Sequence, residues 1–123
     1  MIEHDQASEN GDAARAALDI RLTRAMLANL RNIARVIPPR TRFTQMLAQH
    51  GAVGAWDRVK RTDTSGFTAL YLNELLHLSF EALVVENAEY HRLFSADDMA
   101  EMRRLLREHG YQSGGSNRSD GVT

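Results

Sequence analysis

Leu18-Asp-Ile-Arg-Leu-Thr-Arg-Ala-Met-Leu-Ala-Asn-Leu-Arg-Asn-Ile-Ala-Arg-Val-Ile37 is the stretch that decides the fold. Its apolar residues Leu18, Leu22, Ala25, Met26, Leu30, Ile33 and Ile37 recur at helical spacing, not in the alternation of a strand. The spacing predicts one amphipathic helix from about Gly11 to Val36. Pro38 and Pro39 end it, because proline lacks an amide donor and pushes the residue before it out of the α region. On the same helix Arg21, Arg24, Arg31 and Arg35 fall within an arc of roughly 80°, taking about 100° per residue. That arc lies well away from the apolar side and contains no carboxylate.

Working outward, Thr41 is placed to cap a short helix that turns Phe43, Met46 and Leu47 inward, and the Gly51 to Gly54 stretch breaks it. A third short helix is expected from about Val53 to Arg61, carrying Trp56 and Val59. Thr62 to Gly66 is a polar turn, with Thr64 or Ser65 as cap for a helix bearing Phe67, Leu70, Tyr71 and Leu75. Ser79 is a cap for the next helix, where Phe80, Leu83 and Val84 share a face. Ser95 and Asp98 have the spacing of a capping box, and Gly110 followed by Tyr111 closes the final helix. No alternating strand pattern occurs. The sequence therefore predicts an all-α fold, a compact orthogonal bundle of about six helices with a long amphipathic N-terminal helix and disordered termini. The domain is expected over residues 12–111, between an acidic disordered segment, 1–11, and a tail, 112–123, whose only aliphatic residue is Val122.

The near-neutral total of −1 over 123 residues conceals a separation of charge. Residues 13–61 hold ten of the fifteen Lys and Arg but only two acids, Asp19 and Asp57, a net of +8; the first twelve residues carry −4 and residues 62–123 carry −5. So basic a middle asks for an anionic partner. With no cysteine, disulfides, thiolate metal sites and cysteine nucleophiles are excluded. The N-terminus, with Glu3, Asp5 and Glu9, is unlike a signal peptide, and Phe67 to Val85 is interrupted by Asn73, Glu74, His77 and Glu81, which a membrane span would not tolerate. A cytoplasmic protein that does not enter the membrane is expected.

No catalytic motif is evident. Glu74 and His77 form one Glu-x-x-His pair, half of a di-iron ligand set whose second half is missing, so they are expected to be a polar pair in or beside the core. The five histidines lack zincin spacing, and His50 and His109, each ahead of a glycine, suit helix C-termini. Gly51-Ala-Val-Gly54 is too short for a phosphate loop, while Gln49-His-Gly-Ala52, with Gln45 and Arg58 nearby, is the nearest approach to a helix-turn-helix turn. No metal, cofactor or catalytic residue is assigned.

The segments Ser65-Gly-Phe-Thr-Ala-Leu70, Leu76-His-Leu-Ser-Phe-Glu-Ala-Leu-Val84 and Leu93-Phe-Ser95, with the closing Arg-x-x-Leu-x-x-x-Gly-Tyr111, resemble a recurrent pattern in small uncharacterised bacterial helical proteins. The resemblance spans roughly Thr41 to Tyr111 and implies a helical module without a known activity. It carries over no functional residue.

The expectation is a non-enzymatic accessory or adaptor module that engages an anionic partner, nucleic acid first or an acidic protein surface, through Arg21, Arg24, Arg31, Arg35, Arg40 and Arg42. Two alternatives stand beside it: the arginines pair with the chain's own acids, Glu86, Glu89, Asp97, Asp98 and Glu101, or the protein is an interaction module that forms a homodimer.

Overall fold

A computed structural model describes residues 2–38, 41–60 and 65–111, with residues 2–10 and 65–67 described as helical backbone only. The fold is all-α: α1 (Ile2–Ile33), α2 (Thr41–Val59), α3 (Ser65–Leu72), α4 (Phe80–Glu86) and α5 (Ala96–Glu108), with 3-10 turns at Leu76–Leu78 and Ala88–Leu93. Among the described residues there is no strand. The sequence reading did not foresee the second 3-10 segment. The expected tail, 112–123, and the caps at Thr64 or Ser65 lie outside the described residues or side chains.

α1 starts at Ile2, ahead of the expected Gly11, and ends at Ile33, short of the expected Val36. Its last turn tightens before the prolines: the amide of Ala34 still reaches Leu30, but those of Arg35 and Val36 reach back only three residues, to Asn32 and Ile33. Leu22, Met26, Leu30 and Ile33 enter the core from one side of α1, where the periodicity places them.

The second and third expected helices form one element, α2, bent at Gly51. At φ 76° and ψ 176° this residue occupies a backbone region essentially reserved for glycine. The bend exposes the amides that open the second limb, and α1 supplies their acceptors. Asp19 Oδ1 accepts from Ala52 N at 2.9 Å and Val53 N at 3.3 Å, and Thr23 Oγ1 accepts from Ala52 N at 2.8 Å. An N-cap thus comes from a residue more than thirty positions away in sequence.

The limb beyond the bend buries Ala52, Ala55 and Trp56. Trp56 stacks on Phe80 (centroids 6.0 Å, interplanar 14°), and Phe43 and Phe94 meet the same ring edge-on at 6.1 and 5.9 Å. Phe80 thereby joins α2, α4 and the approach to α5. Next to it Ser79, fully buried, caps α4 by accepting from Ala82 N at 3.0 Å.

α5 shows each expected terminal signal. Ser95 Oγ accepts from Asp98 N, and an Asp98 oxygen accepts from Ser95 N. At the other end Gly110 (φ +78°) lets Tyr111 N reach Leu106 O and Gly110 N reach Arg107 O, a Schellman closure. Tyr111 packs on the core and donates its hydroxyl to Glu86. His109 Nδ1 lies 2.9 Å from Leu105 O, which gives this histidine the expected place at the helix end.

Candidate binding face on the first helix

The side of α1 opposite the buried Leu22, Met26, Leu30 and Ile33 carries Arg24 and Arg31, roughly 150° around the axis from the core-facing centre. Both are exposed, and among the described residues neither has an ion-pair partner. Their helical neighbours at three and four positions explain this. Arg24 has Ile20, Arg21, Leu27 and Ala28, and Arg31 has Leu27, Ala28, Ala34 and Arg35.

The other expected site residues divide. Arg35 is exposed and without an ion pair among the described residues, but it stands in the turn after α1 and not on the helix. Arg42 is exposed in the first turn of α2, where the helix dipole disfavours a cation and no acid offsets it. Arg40 lies outside the described residues. Arg21 corrects the expectation of a stripe free of counter-ions: its Nη1 meets Glu89 Oε2 at 2.6 Å. The side chains are 67% and 49% exposed, so the pair contributes about 0–1 kcal/mol and remains open to exchange.

The other acids considered as internal counter-ions are engaged elsewhere or exposed. Glu86 accepts from Tyr111, Glu101 binds Arg104, Asp98 binds Lys60 at 3.0 Å, and Asp97 is exposed. The Lys60 bond joins the second limb of α2 to the start of α5, with Asp57 at 3.3 Å on the other side of the ammonium. Burial pushes the Asp98 carboxyl up, but the Trp56 indole N–H, the Lys60 ammonium and the Ser95 amide together outweigh it and hold the group below its ordinary value. The buried indole N–H lowers Asp98 as a donor whose geometry falls short of a full hydrogen bond. Bonds to Asp98 raise Lys60 above its ordinary value against the opposing pull of desolvation.

Sequence reasoning missed two features of this face. Ile20, at the edge of the basic arc, is 52% exposed. Arg15 turns the other way and donates to the carbonyls of Arg92 (2.8 Å) and Leu93 (3.0 Å), closing the end of the 3-10 segment. Ile20 was legible as an apolar residue out of register with the core positions. Arg15 was not, because a carbonyl acceptor leaves no mark in sequence.

The remaining candidates carry no site. Glu74 sits in a left-handed turn (φ 60°) and His77 in a 3-10 turn, both exposed, so the pair shares no helix face and is not in the core. Among the described residues no group of three or more His, Cys, Asp or Glu could hold a metal ion. At the helix-turn-helix candidate, the limb after Gly51 turns Trp56 and Ala55 into the core and exposes Asp57 and Arg58, of opposite sign. No described helix is long and apolar enough to cross a membrane. No protein family, curated protein or solved structure matches the chain.

Proposed function

We propose that this chain is a helical adaptor module that uses the open basic side of α1 to hold an anionic partner. The observation that carries this reading is the exposure, without ion pairs among the described residues, of Arg24 and Arg31 on a helix whose opposite side is anchored in the core and of Arg35 in the turn that follows it. Arg42, placed against the dipole of α2, adds a cation that does nothing for its own helix. Ile20, half exposed among the arginines, favours an acidic protein surface, since a phosphate backbone offers no apolar contact at that point. A cytoplasmic setting goes with this reading. So does a place for residues 41–111 in the recurrent bacterial helical module that they resemble, which supplies no site of its own.

Nucleic acid is the second reading, favoured by the spacing: Arg24 and Arg31 stand about 10 Å apart along the axis at about 1.5 Å per residue. The test changes Arg24 and Arg31 together to Glu and measures binding to a short DNA duplex and to a glutamate-rich helical peptide across a salt series. Peptide binding lost in the variant supports the protein-surface reading. Duplex binding with a log–log salt slope near about −3, for three or four phosphates at about −0.9 each, supports the second. No binding to either by the parent chain, even at low salt, counts against both.

A further inference from the structure

Two sides of α1 are taken. Asp19 and Thr23 face α2, and Arg15 and Arg21 face the 3-10 segment Ala88–Leu93. From Gly11 onward, where side chains are described, a third side stays open. At about 100° per residue, positions 2, 6, 9, 13, 16, 20, 24, 27 and 31 lie on it, and their three- and four-residue steps form the seam of a two-helix coil. Ala13, Ala16, Ile20, Arg24 and Arg31 are exposed there, and Leu27 is half-buried. The helix is also polarised end to end: Glu3, Asp5, Glu9 and Asp12 fall in its opening turns, while Arg21, Arg24 and Arg31 fall in its closing half.

We propose that this side binds a second copy of itself, antiparallel, about a two-fold axis between Ala16 and Ala17. The proposal rests on the reading of an anionic partner and names that partner. Parallel pairing sets acids on acids and arginines on arginines. Antiparallel pairing in this register sets position 9 opposite position 24, position 2 opposite position 31 and position 13 opposite position 20, each pair occurring twice by symmetry. Position 9, a glutamate, then stands in register with Arg24 of the second copy, and Ile20 covers Ala13. Small residues at the axis let the helices approach toward the short end of the usual 8–10 Å separation. The exposure of Ile20 and the missing counter-ion of Arg24 then have a single cause: the opening half of the partner's helix covers them, with Arg31 opposite position 2 at the end of the seam.

The test is sedimentation equilibrium of the full chain at low and high salt. The parent is expected to be a dimer that weakens as salt rises. Arg24→Glu and Glu9→Arg should each weaken the dimer by roughly tenfold or more, since each sets like charges across the seam twice. The double variant Glu9→Arg with Arg24→Glu restores opposite signs and should recover the parent affinity; circular dichroism melts establish that all three variants fold. A monomer at low salt, a dimer indifferent to the single changes, or a double variant as weak as the singles overturns the proposal. A monomeric parent that still binds the acidic peptide or the duplex through Arg24 and Arg31 overturns self-pairing and leaves the anionic-partner reading standing. A monomer that binds neither probe overturns both.

Discussion

α5 and α1 both carry arginines outward, and Arg104 of α5 is treated in the opposite way to Arg24 and Arg31 of α1. On α5, Arg104 lies between Glu101 (2.5 Å) and Glu108 (2.6 Å), three and four residues away, and those carboxylates raise its proton affinity above the ordinary guanidinium. On α1, every neighbour of Arg24 and Arg31 at those spacings is apolar or another arginine. Arg104 is answered within α5, although Arg103 and Arg107 beside it are exposed without an ion pair among the described residues; Arg24 and Arg31 of α1 need something outside their helix to answer them. The one acid in the docked part of α1, Asp19, is turned to the amides of α2 and gives the arginines nothing.

The comparison assumes that both helices are anchored equally well, which sets the largest expected effect. Leu22→Ala on α1 and Met102→Ala on α5 each remove a side chain with no exposed surface, and each should cost about 2–5 kcal/mol in urea unfolding. A much smaller cost for Leu22 would mean that α1 is only loosely docked, and its bare arginines would then say little about a partner.

The next effect concerns where Asp19 is spent. Gly51→Ala forces a side chain into a conformation that only glycine adopts easily, with its Cβ about 3.3 Å from Asp19 Oδ2, and should cost about 1–3 kcal/mol. Asp19→Ala should cost about 1–2 kcal/mol by leaving the Val53 amide without its acceptor, while Thr23 still serves Ala52. If Asp19→Ala is neutral, the acid is not committed to α2.

A smaller effect tests, through pH, the contacts that Asp98 makes between α5 and α2. Because the folded chain holds Asp98 below its ordinary value, the unfolded state binds the proton more readily. The associated stability is complete above the unfolded pKa, near about 4, and is lost as pH falls through the lower folded value. Asp98→Asn should therefore flatten the acid limb of the stability profile and, because Asp98 also raises Lys60, lessen the loss of stability as pH climbs through the Lys60 value. An unaltered acid limb would remove Asp98 from the account.

Much of this was legible in the sequence where a local signal and the tertiary packing agree. The capping box at Ser95 and Asp98, the Ser79 cap, the glycine stop at Gly110 and the break at Gly51 all follow from short-range chemistry. What escaped depends on distant partners. The pairing of Arg21 with Glu89, the cap that Asp19 gives to α2 and the carbonyls taken by Arg15 each join residues 33 to 78 positions apart. The helix bounds of α1 were missed for another reason. Its opening turns carry no apolar period from which a helix start could be read.

The smallest expected change in stability is the one that sharpens the comparison most. Arg24→Glu with Arg31→Glu replaces two exposed side chains that have no ion pair among the described residues, so the cost should fall within about 0.5 kcal/mol of zero. A slight gain is the more natural sign, because Arg21 is three residues from Arg24 and Arg35 is four from Arg31, and each repulsion becomes an attraction. The same double change should remove binding to any anionic partner. Loss of binding at constant or improved stability is a signature that a structural role for the arginines cannot produce, since arginines that held the fold together would lower the melting temperature when their sign is reversed. If the variant unfolds more easily, the counter-ions lie within the chain, and α1 then resembles α5 after all.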